Sequence, residues 1–295
     1  MTTIELAGGI VVAVGSASDD ATFTLTEDDT DDPRSVTVAS VSAALEELRE
    51  RCERWPHAAG ICDDVLRAAD VEAPAFNGVI TESLAYSTLQ SGPEFARWLA
   101  ERGPAQVPVL PEPVVAERVD DTLHVRFNRA QRHNAFSTDA RAALLEALEV
   151  ARLDPSVTEV VLSGNGPSFC SGGDLAEFGS FADPASAHFA RTRYSPALVL
   201  AELAERLGNR CRAVVHGRVL GSGLEMAAFC GRVQSSADAV FGLPELTLGL
   251  LPGAGGTVSV TRRIGRWRTA YLVLSGRAVD AETALRWGLI DSIIE

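Results

Sequence analysis

The sequence of 295 residues contains no lysine, because all 26 basic residues are arginine. Without a lysine amine the chain cannot form a Schiff base with a carbonyl substrate. It also cannot build the phosphate-binding loop that ends in Lys-Ser or Lys-Thr. Two large classes of enzyme are therefore excluded before any motif is considered.

Positive charge is scarce throughout the chain. The 26 arginines are outnumbered by 40 acidic residues, which leaves a formal net charge of −14 at pH 7. Binding to nucleic acid or to an anionic membrane surface requires clustered cations that neutralise phosphates. We therefore expect no nucleic-acid partner and no membrane partner.

Cysteines are few, and long apolar runs are missing. The five cysteines are scattered and never spaced as C-x-x-C, so neither a disulfide framework nor a zinc ribbon is expected. No stretch reaches the roughly 18 apolar residues of a membrane span, and no basic segment precedes an apolar stretch at the N-terminus. We expect a cytoplasmic protein, and no metal, since no cluster of His, Asp or Glu has ligand spacing.

A proline-rich segment divides the chain at residues 104–113. It holds four prolines in ten residues, which cannot continue a helix, so we interpret it as a linker. The sequence thus predicts an N-terminal region of residues 1–103 and a core of residues 114–295.

The N-terminal region combines strand and helix patterns. Strand-like alternation runs through Ile4–Val14 and returns at 21–26. Apolar residues recur at helical spacing from Val41 until Pro56 stops the pattern, and a second helical region covers 84–99. These patterns predict a small α+β region.

The core repeats a unit of strand, strand and helix. Paired strands are predicted at 114–117 and 123–127, a helix at 138–152 and a buried strand at 157–163. Further elements are predicted at 210–216 (strand), 223–230 (helix), 239–242 (strand) and 259–275 (helix). Such repetition is typical of an α/β fold in which helices stack on sheet layers.

The first glycine-rich segment reads Ser-Phe-Cys-Ser-Gly-Gly-Asp-Leu, over 168–175, and follows a predicted strand. Adjacent glycines let the backbone approach a ligand closely, so an N–H group there can point into a cavity. A purely structural turn is the alternative.

The second segment has three glycines in seven residues between a strand and a helix. The first turn of that helix contains Glu225, where unpaired N–H groups and the helix dipole stabilise negative charge. Glu225 is therefore a candidate general base. Alternatively, it only stabilises its own helix.

The third segment includes Leu-Pro-Glu, with Glu245, and then Gly-Ala-Gly-Gly-Thr at 253–257. Apolar neighbours around Glu245 would raise the pKa of its carboxyl group toward that of a proton donor. The alternative is an ordinary surface glutamate.

Together, these segments resemble the signatures of the crotonase or enoyl-CoA hydratase superfamily over roughly 114–294. The resemblance implies a crotonase-type spiral of strand-strand-helix units, here preceded by the α+β region. It also implies that the N–H groups of Ser171 and Ser222 form an oxyanion hole around a thioester carbonyl. In hydratases of this superfamily both glutamate positions are occupied, as by Glu225 and Glu245 here.

The implied reaction is syn addition of water to a 2,3-enoyl-coenzyme A thioester, as in fatty-acid metabolism. Glu225 would activate the water and Glu245 would protonate the α-carbon, with no cofactor beyond the coenzyme A of the substrate. A homo-oligomer, trimeric or hexameric, is expected. The implied substrate-binding residues are Gly172, Gly173, Asp174, Leu175, Arg132, Asn134 and Ala135.

Other interpretations remain open from the sequence. Within the same fold the chain could be an isomerase, a thioester hydrolase or a biosynthetic lyase, and outside catalysis it could be an assembly subunit. Family members usually have C-terminal helices that cover a neighbouring site, whereas this chain has a long segment before residue 114. That segment could replace the missing packing as a helical cap or as a degenerate copy of the repeated unit.

Cys170 and the histidines are assigned no catalytic role. Cys170 lies beside Ser171, but no histidine occupies a motif position that would activate its thiol. His216 precedes the second glycine-rich turn, where a structural imidazole is the expected role. His124, His133 and His188 are not placed in any site.

Overall fold

The computed structural model describes residues 2–108, 110–181 and 183–294, so Met1, Val109, Ala182 and Glu295 lie outside it. The helices are α1 (Val41–Arg54), α2 (Pro56–Ala68), α3 (Ala75–Gln90), α4 (Pro93–Arg102), α5 (Thr138–Leu153), α6 (Pro184–Arg193), α7 (Pro196–Leu207), α8 (Ser222–Phe229), α9 (Gly256–Ser275) and α10 (Ala281–Trp287). The strands are β1 (Thr2–Leu6), β2 (Ile10–Val14), β3 (Phe23–Thr26), β4 (Ser35–Thr37), β5 (Val114–Val119), β6 (Thr122–Phe127), β7 (Glu159–Gly164), β8 (Cys211–Val215), β9 (Arg218–Leu220), β10 (Arg232–Ser236), β11 (Val240–Gly242), β12 (Val279–Asp280) and β13 (Ser292–Ile294).

The central sheet of the core has the strand order β13-β10-β8-β7-β6-β5. Its strands run parallel except for β5, which forms an antiparallel hairpin with β6. Val160, Val161 and Leu162 of β7 are all buried, as expected for a parallel strand covered on both faces. Helices α5 and α7 pack on this sheet and on each other.

A smaller sheet of order β12-β11-β9 lies at the point where the motifs converge. Strand β8 leads to β9 and then to α8, and β10 leads to β11 before the chain reaches α9. The α/β fold of repeated strand-strand-helix units is thus confirmed.

The N-terminal region contains a sheet of order β1-β2-β3-β4, with a hairpin followed by parallel strands. The first predicted helix is α1, but Pro56 does more than end it, because Pro56 is also the first residue of α2. Proline is favoured there because the first helical N–H has no partner in any case. The second helical region is two helices, α3 and α4, and the sequence patterns also missed α6, α7 and α10.

Helices α1, α2 and α3 pack against α9, and α3 also packs against α6. One hydrophobic cluster runs through both parts of the chain. The connections within the N-terminal sheet contain no α-helix in the described residues, only the 3-10 turn Ala7–Gly9 between β1 and β2. Because α1, α2 and α3 instead cover α9, this region is a helical cap rather than a copy of the repeated unit. The described residues of 104–113 form neither helix nor strand, and the domain boundary there stays a prediction.

None of the helices in the described part of the chain has the length and apolar character that a membrane crossing requires.

The contact between α3 and α9 predicts a specific intolerance at Gly78. A Cβ atom on Gly78 would collide with Cγ2 of Val258, and a valine in a helix cannot easily change its χ1 rotamer. Gly78→Ala should lower the free energy of unfolding by about 1–2 kcal/mol. Overpacking costs about 1–3 kcal/mol, which exceeds the roughly 0.5–1 kcal/mol that alanine gains over glycine in a helix.

Urea denaturation measures this effect. Asn77→Ala is the matched control, since Asn77 is the exposed neighbour on the same helix. If Gly78→Ala were as stable as the wild type, the tight contact between α3 and α9 would be refuted.

Candidate functional site

The glycine-rich segments meet at one open cleft. Its walls come from the turn after β7, the start of α8, the segment around Glu245 and the turn before α9. Residues of α3 and α6 complete it. The residues that matter for the chemistry below are Gly173, Ser222, Glu225, Glu245, Tyr86 and Arg191.

Two glycine turns touch beside the cleft. Gly172 and Gly221 have φ angles of 94° and 48°, a region in which side chains are strained. A Cβ on Gly221 would lie 3.4 Å from Cα of Gly172 and 2.5 Å from Oε1 of Glu245. Glycine is therefore required for the two turns and the Glu245 carboxyl group to meet.

The structure corrects the predicted pair of oxyanion-hole amides. The N–H of Ser171 donates to the carbonyl of His133 (3.0 Å), so the prediction for Ser171 is wrong. Gly173 lies two residues later and lines the cleft, and its N–H has no hydrogen-bond partner among the described residues. The N–H of Ser222 is likewise unpaired within the described chain, at the first residue of α8. The Gly-Gly pair was the available signal, since bare backbone approaches a ligand most closely.

Glu225 is 2% exposed and is held by main-chain donors. Its Oε2 accepts hydrogen bonds from the N–H groups of Ala254 (2.7 Å) and Gly256 (2.8 Å). Burial raises the pKa of Glu225 to about 7, although these amides oppose the shift by stabilising the carboxylate. A carboxyl group with this pKa can act as a base at neutral pH.

Glu245 faces the same cleft in a different environment. Among the described residues its Oε2 has no hydrogen-bond partner. Burial, and next the like charge of Glu225, raise the pKa of Glu245 well above its ordinary value. At neutral pH Glu225 can thus be ionised while Glu245 holds a proton, and such a pair can supply a base and an acid.

A third buried carboxyl group, Glu82, comes from α3 and was missed by the sequence analysis. It is 1% exposed and accepts hydrogen bonds from the N–H groups of Gly255 (2.7 Å) and Thr257 (2.9 Å) and from the Thr257 hydroxyl (2.7 Å). Burial, and next the charge of Glu225, raise the pKa of Glu82 to about 8. No signal distinguished Glu82, because it lies in an ordinary helical pattern outside the motif-bearing core.

Tyr86 and Gln90, also of α3, line the cleft. A Cβ on Gly253 would collide with the Tyr86 ring, so the turn before α9 packs directly on this helix. The Arg191 guanidinium lies 4.4 Å from the centre of that ring and donates to Gln90 Oε1 (3.0 Å). The cleft is therefore incomplete without the N-terminal region.

Of the predicted substrate-binding residues, Gly173 and Asp174 line the cleft. Asn134 does not line the cleft, because its side chain is hydrogen-bonded to other parts of the chain. Its Oδ1 accepts from the Arg129 N–H (2.7 Å), and its Nδ2 donates to the carbonyls of Asn165 and Ser168. The remaining predicted residues lie outside the cleft walls, and contact with coenzyme A stays a prediction for them: Gly172, Leu175, Arg132 and Ala135.

Asp174 is buried between two arginines. Its Oδ2 pairs with Arg129 and its Oδ1 with Arg132, each at 2.9 Å. Burial raises the pKa of Asp174, but the hydrogen bonds from the Arg129 guanidinium, the Ala176 N–H and the Arg132 guanidinium outweigh burial and hold it below the ordinary value. The Asp174 carboxylate therefore fixes the loop, and contact of Asp174 with substrate stays a prediction.

Cys170 is fully buried, and burial raises the pKa of its thiol to about 12. It is therefore a packing residue and not a nucleophile. His216 is near the Gly166 carbonyl (Nε2···O 2.8 Å), a structural contact. Within the described residues, no group of three or more His, Cys, Asp or Glu side chains could hold a metal ion.

Residues 118–295 match the family model described as enoyl-CoA hydratase/isomerase. The chain belongs to this family. The resemblance drawn from the motifs is thereby confirmed. The match does not include the N-terminal region that contributes Tyr86 to the cleft and Glu82 to the turn before α9.

Individual members of the enoyl-CoA hydratase/isomerase family show the same extent of similarity. The 2,3-dehydroadipyl-CoA hydratase of Escherichia coli (strain K12) is 33% identical over 180 residues, which cover 61% of this chain and 68% of that protein. The probable enoyl-CoA hydratase echA8 of Mycobacterium tuberculosis is 32% identical over 185 residues, with 62% and 69% covered. The crystal structure of an enoyl-CoA hydratase from Thermoplasma volcanium GSS1 aligns with a TM-score of 0.53 and 31% identity, covering 62% of this chain and 71% of that one.

The buried ion pairs of Asp174 generate a stability prediction. Asp174→Asn should lower the free energy of unfolding by about 3 kcal/mol or more, because it leaves the buried Arg129 guanidinium without a counter-charge. Chemical denaturation measures the loss. Glu149→Gln, which breaks an exposed pair with Arg152, should leave stability nearly unchanged. Equal effects in the two variants would contradict a structural role for Asp174.

Proposed function

We propose that this family member is an enoyl-CoA hydratase, which adds water syn across a 2,3-enoyl-coenzyme A thioester. The supporting observation is the pair of carboxyl groups in one cleft, Glu225 and Glu245, whose environments favour opposite protonation states at neutral pH. An isomerase or hydrolase needs no such pair, and names of relatives include both hydratase and isomerase/hydratase.

The substrate carbonyl would accept hydrogen bonds from the N–H groups of Gly173 and Ser222. These two amides are unpaired within the described chain and border the same cleft. Negative charge on the thioester oxygen grows as the enolate forms, so these donors act on the transition state. One such donor contributes about 2.7–4 kcal/mol of transition-state stabilisation.

The proton steps then balance over one turnover. Ionised Glu225 takes a proton from water, and the hydroxide bonds to the β-carbon. The electron pair of the double bond moves toward the thioester oxygen, and protonated Glu245 delivers its proton to the α-carbon. A proton passing from Glu225 back to Glu245 restores the starting state. Hydration transfers no electrons, so coenzyme A is needed only as part of the substrate.

Three further features belong to this proposal. All described cysteines are free thiols, which supports the cytoplasm as the compartment. Fatty-acid metabolism supplies substrates of the required type. A trimer or hexamer would follow the family pattern, and light scattering after size-exclusion chromatography tests it.

Removing either carboxyl group should abolish efficient hydration. Glu225→Gln and Glu245→Gln should each lower kcat for a short 2,3-enoyl-coenzyme A by about 10²–10⁴-fold, since each loses one proton-transfer step. Mass spectrometry should identify the 3-hydroxyacyl thioester as the wild-type product. Glu205→Gln, on the exposed side of α7, is the control. Wild-type rates in both cleft variants would reject the proposal.

The pH dependence of the reaction follows from the pKa of Glu225. The base must be ionised, so kcat/KM should fall tenfold per pH unit as the pH drops below about 7. At high pH, ionisation of Glu245 should reduce activity again. Initial rates over a pH series measure both limbs, and an acid limb centred near the ordinary carboxyl pKa would rule out Glu225 as the base.

A further inference from the structure

The turn before α9 supplies consecutive main-chain amides to two different carboxyl groups. The N–H groups of Ala254 and Gly256 donate to Glu225, and those of Gly255 and Thr257 donate to Glu82. The recipients therefore alternate residue by residue. Any shift of the turn that loosens one carboxyl group also loosens the other.

The turn is clamped from two sides. Glu225 belongs to α8 of the core and Glu82 to α3 of the N-terminal region, and a Cβ on Gly256 would lie 2.6 Å from Cγ of Glu225. Glu82 is outside the cleft walls and so does not contact substrate. Its effect on the reaction must pass through the turn and through its charge.

The charged and titratable groups around Glu82 come from several elements. Glu225 and Glu245 are the carboxyl neighbours, and the Cys62 thiol of α2 also interacts with the charge of Glu82. Tyr86 lies one turn along α3. On α6, Arg191 attracts the charge of Glu82, and His188 contacts Ser83. The like charges of Glu225 and Glu245 therefore act on Glu82 from the core, whereas the Arg191 guanidinium attracts it from α6.

We propose that Glu82 is a positioning residue of the active site, which holds the 254–257 turn so that its alternate amides orient Glu225. As a like charge, ionised Glu82 also disfavours ionisation of Glu245, after burial and the charge of Glu225. Stability alone does not select a third carboxyl group beside two others, because burying like charges together is costly. The inference rests on the proposed function only in one respect: hydration is the reaction in which the kinetic effect of Glu82 is measured.

Kinetics of Glu82→Gln test the orienting role. A glutamine offers one acceptor oxygen and one NH₂ group, and the NH₂ group cannot accept the amide that faces it. We expect kcat to fall by about tenfold or more from the misplaced base, with KM changed by less than about threefold because Glu82 is not in the cleft. Glu82→Asp retains the charge but is one methylene shorter, so it should lower kcat while leaving the alkaline limb in place.

The pH profile tests the charge. Ionised Glu82 disfavours ionisation of Glu245, so its removal should move the alkaline limb of Glu82→Gln to lower pH. The acid limb should move the same way by less, because Glu82, with a pKa of about 8, is mostly protonated when Glu225 ionises near 7.

Glu94→Gln is the matched control. Glu94 is a buried glutamate of the same region, 4% exposed, that accepts from the N–H groups of His57 (2.8 Å) and Ala58 (3.0 Å) at the start of α2. It is not among the charges that shift the pKa of Glu225 or Glu245. Its loss should reduce stability without moving either limb. If Glu82→Gln behaved in the same way, with kcat within twofold of wild type, the proposal would be overturned.

An infrared titration separates this proposal from the proposed function. The C=O band of protonated carboxyl groups needs no turnover, and its difference between wild type and Glu245→Gln isolates Glu245. That group should ionise at lower pH in Glu82→Gln than in wild type, and an unmoved titration would refute the charge role. Absence of hydration in wild type, by contrast, would reject only the proposed reaction.

Discussion

Three carboxyl groups buried around the start of α9 impose the main constraint on this structure. A buried carboxylate must be hydrogen-bonded, and here the donors for two of them are successive amides of one turn. Glycine fills that turn because the Glu225 side chain and the Tyr86 ring leave no room for a Cβ at Gly256 and Gly253. The position of α3 follows from the same requirement, since it brings both Glu82 and Tyr86 against the turn.

In the same arrangement, the protonation state that favours folding differs from the one that the base needs for the reaction. The folded-state pKa values of about 7 for Glu225 and about 8 for Glu82 exceed the ordinary carboxyl value, so folding favours their protonated forms. Their contribution to stability is complete below the ordinary carboxyl pKa and is lost as the pH rises through about 7 and 8. A base that must be ionised to react therefore weakens the fold that holds it. The long helix α9, whose N-terminal amides face these groups, offsets part of that cost.

Much of the core was predictable because its signals are local. The glycine-rich turn between strand and helix located Glu225, the Leu-Pro-Glu segment located Glu245, and the family resemblance added Ser222. Periodicity located α5 and the buried β7. The oxyanion amide was misassigned to Ser171 because which N–H faces the cleft depends on the backbone reversal at Gly172, and that reversal has no side-chain pattern.

Contacts between residues far apart in the chain could not be predicted from the sequence. Glu82 acquires its role only because α3 packs on α9, and no pairing signal connects the two segments. Helix α3 even exposes Leu84 (54% exposed) while burying Glu82, which inverts the usual apolar pattern. The choice between a helical cap and a degenerate repeat likewise depended on the packing of α1, α2 and α3 against α9.

The hydrogen bond between Glu82 and Thr257 also bears on how the protein becomes active during synthesis. Its partners are 175 residues apart in the chain, so the site is closed by a contact of very high sequence separation. Such contacts form late, because the entropy of the intervening chain must be lost before they add stability. A ribosome-bound chain can have its N-terminal sheet and helices in place, yet it has no ordered acid–base site until α9 emerges and docks. Catalytic competence should therefore appear abruptly, once α9 has emerged and docked.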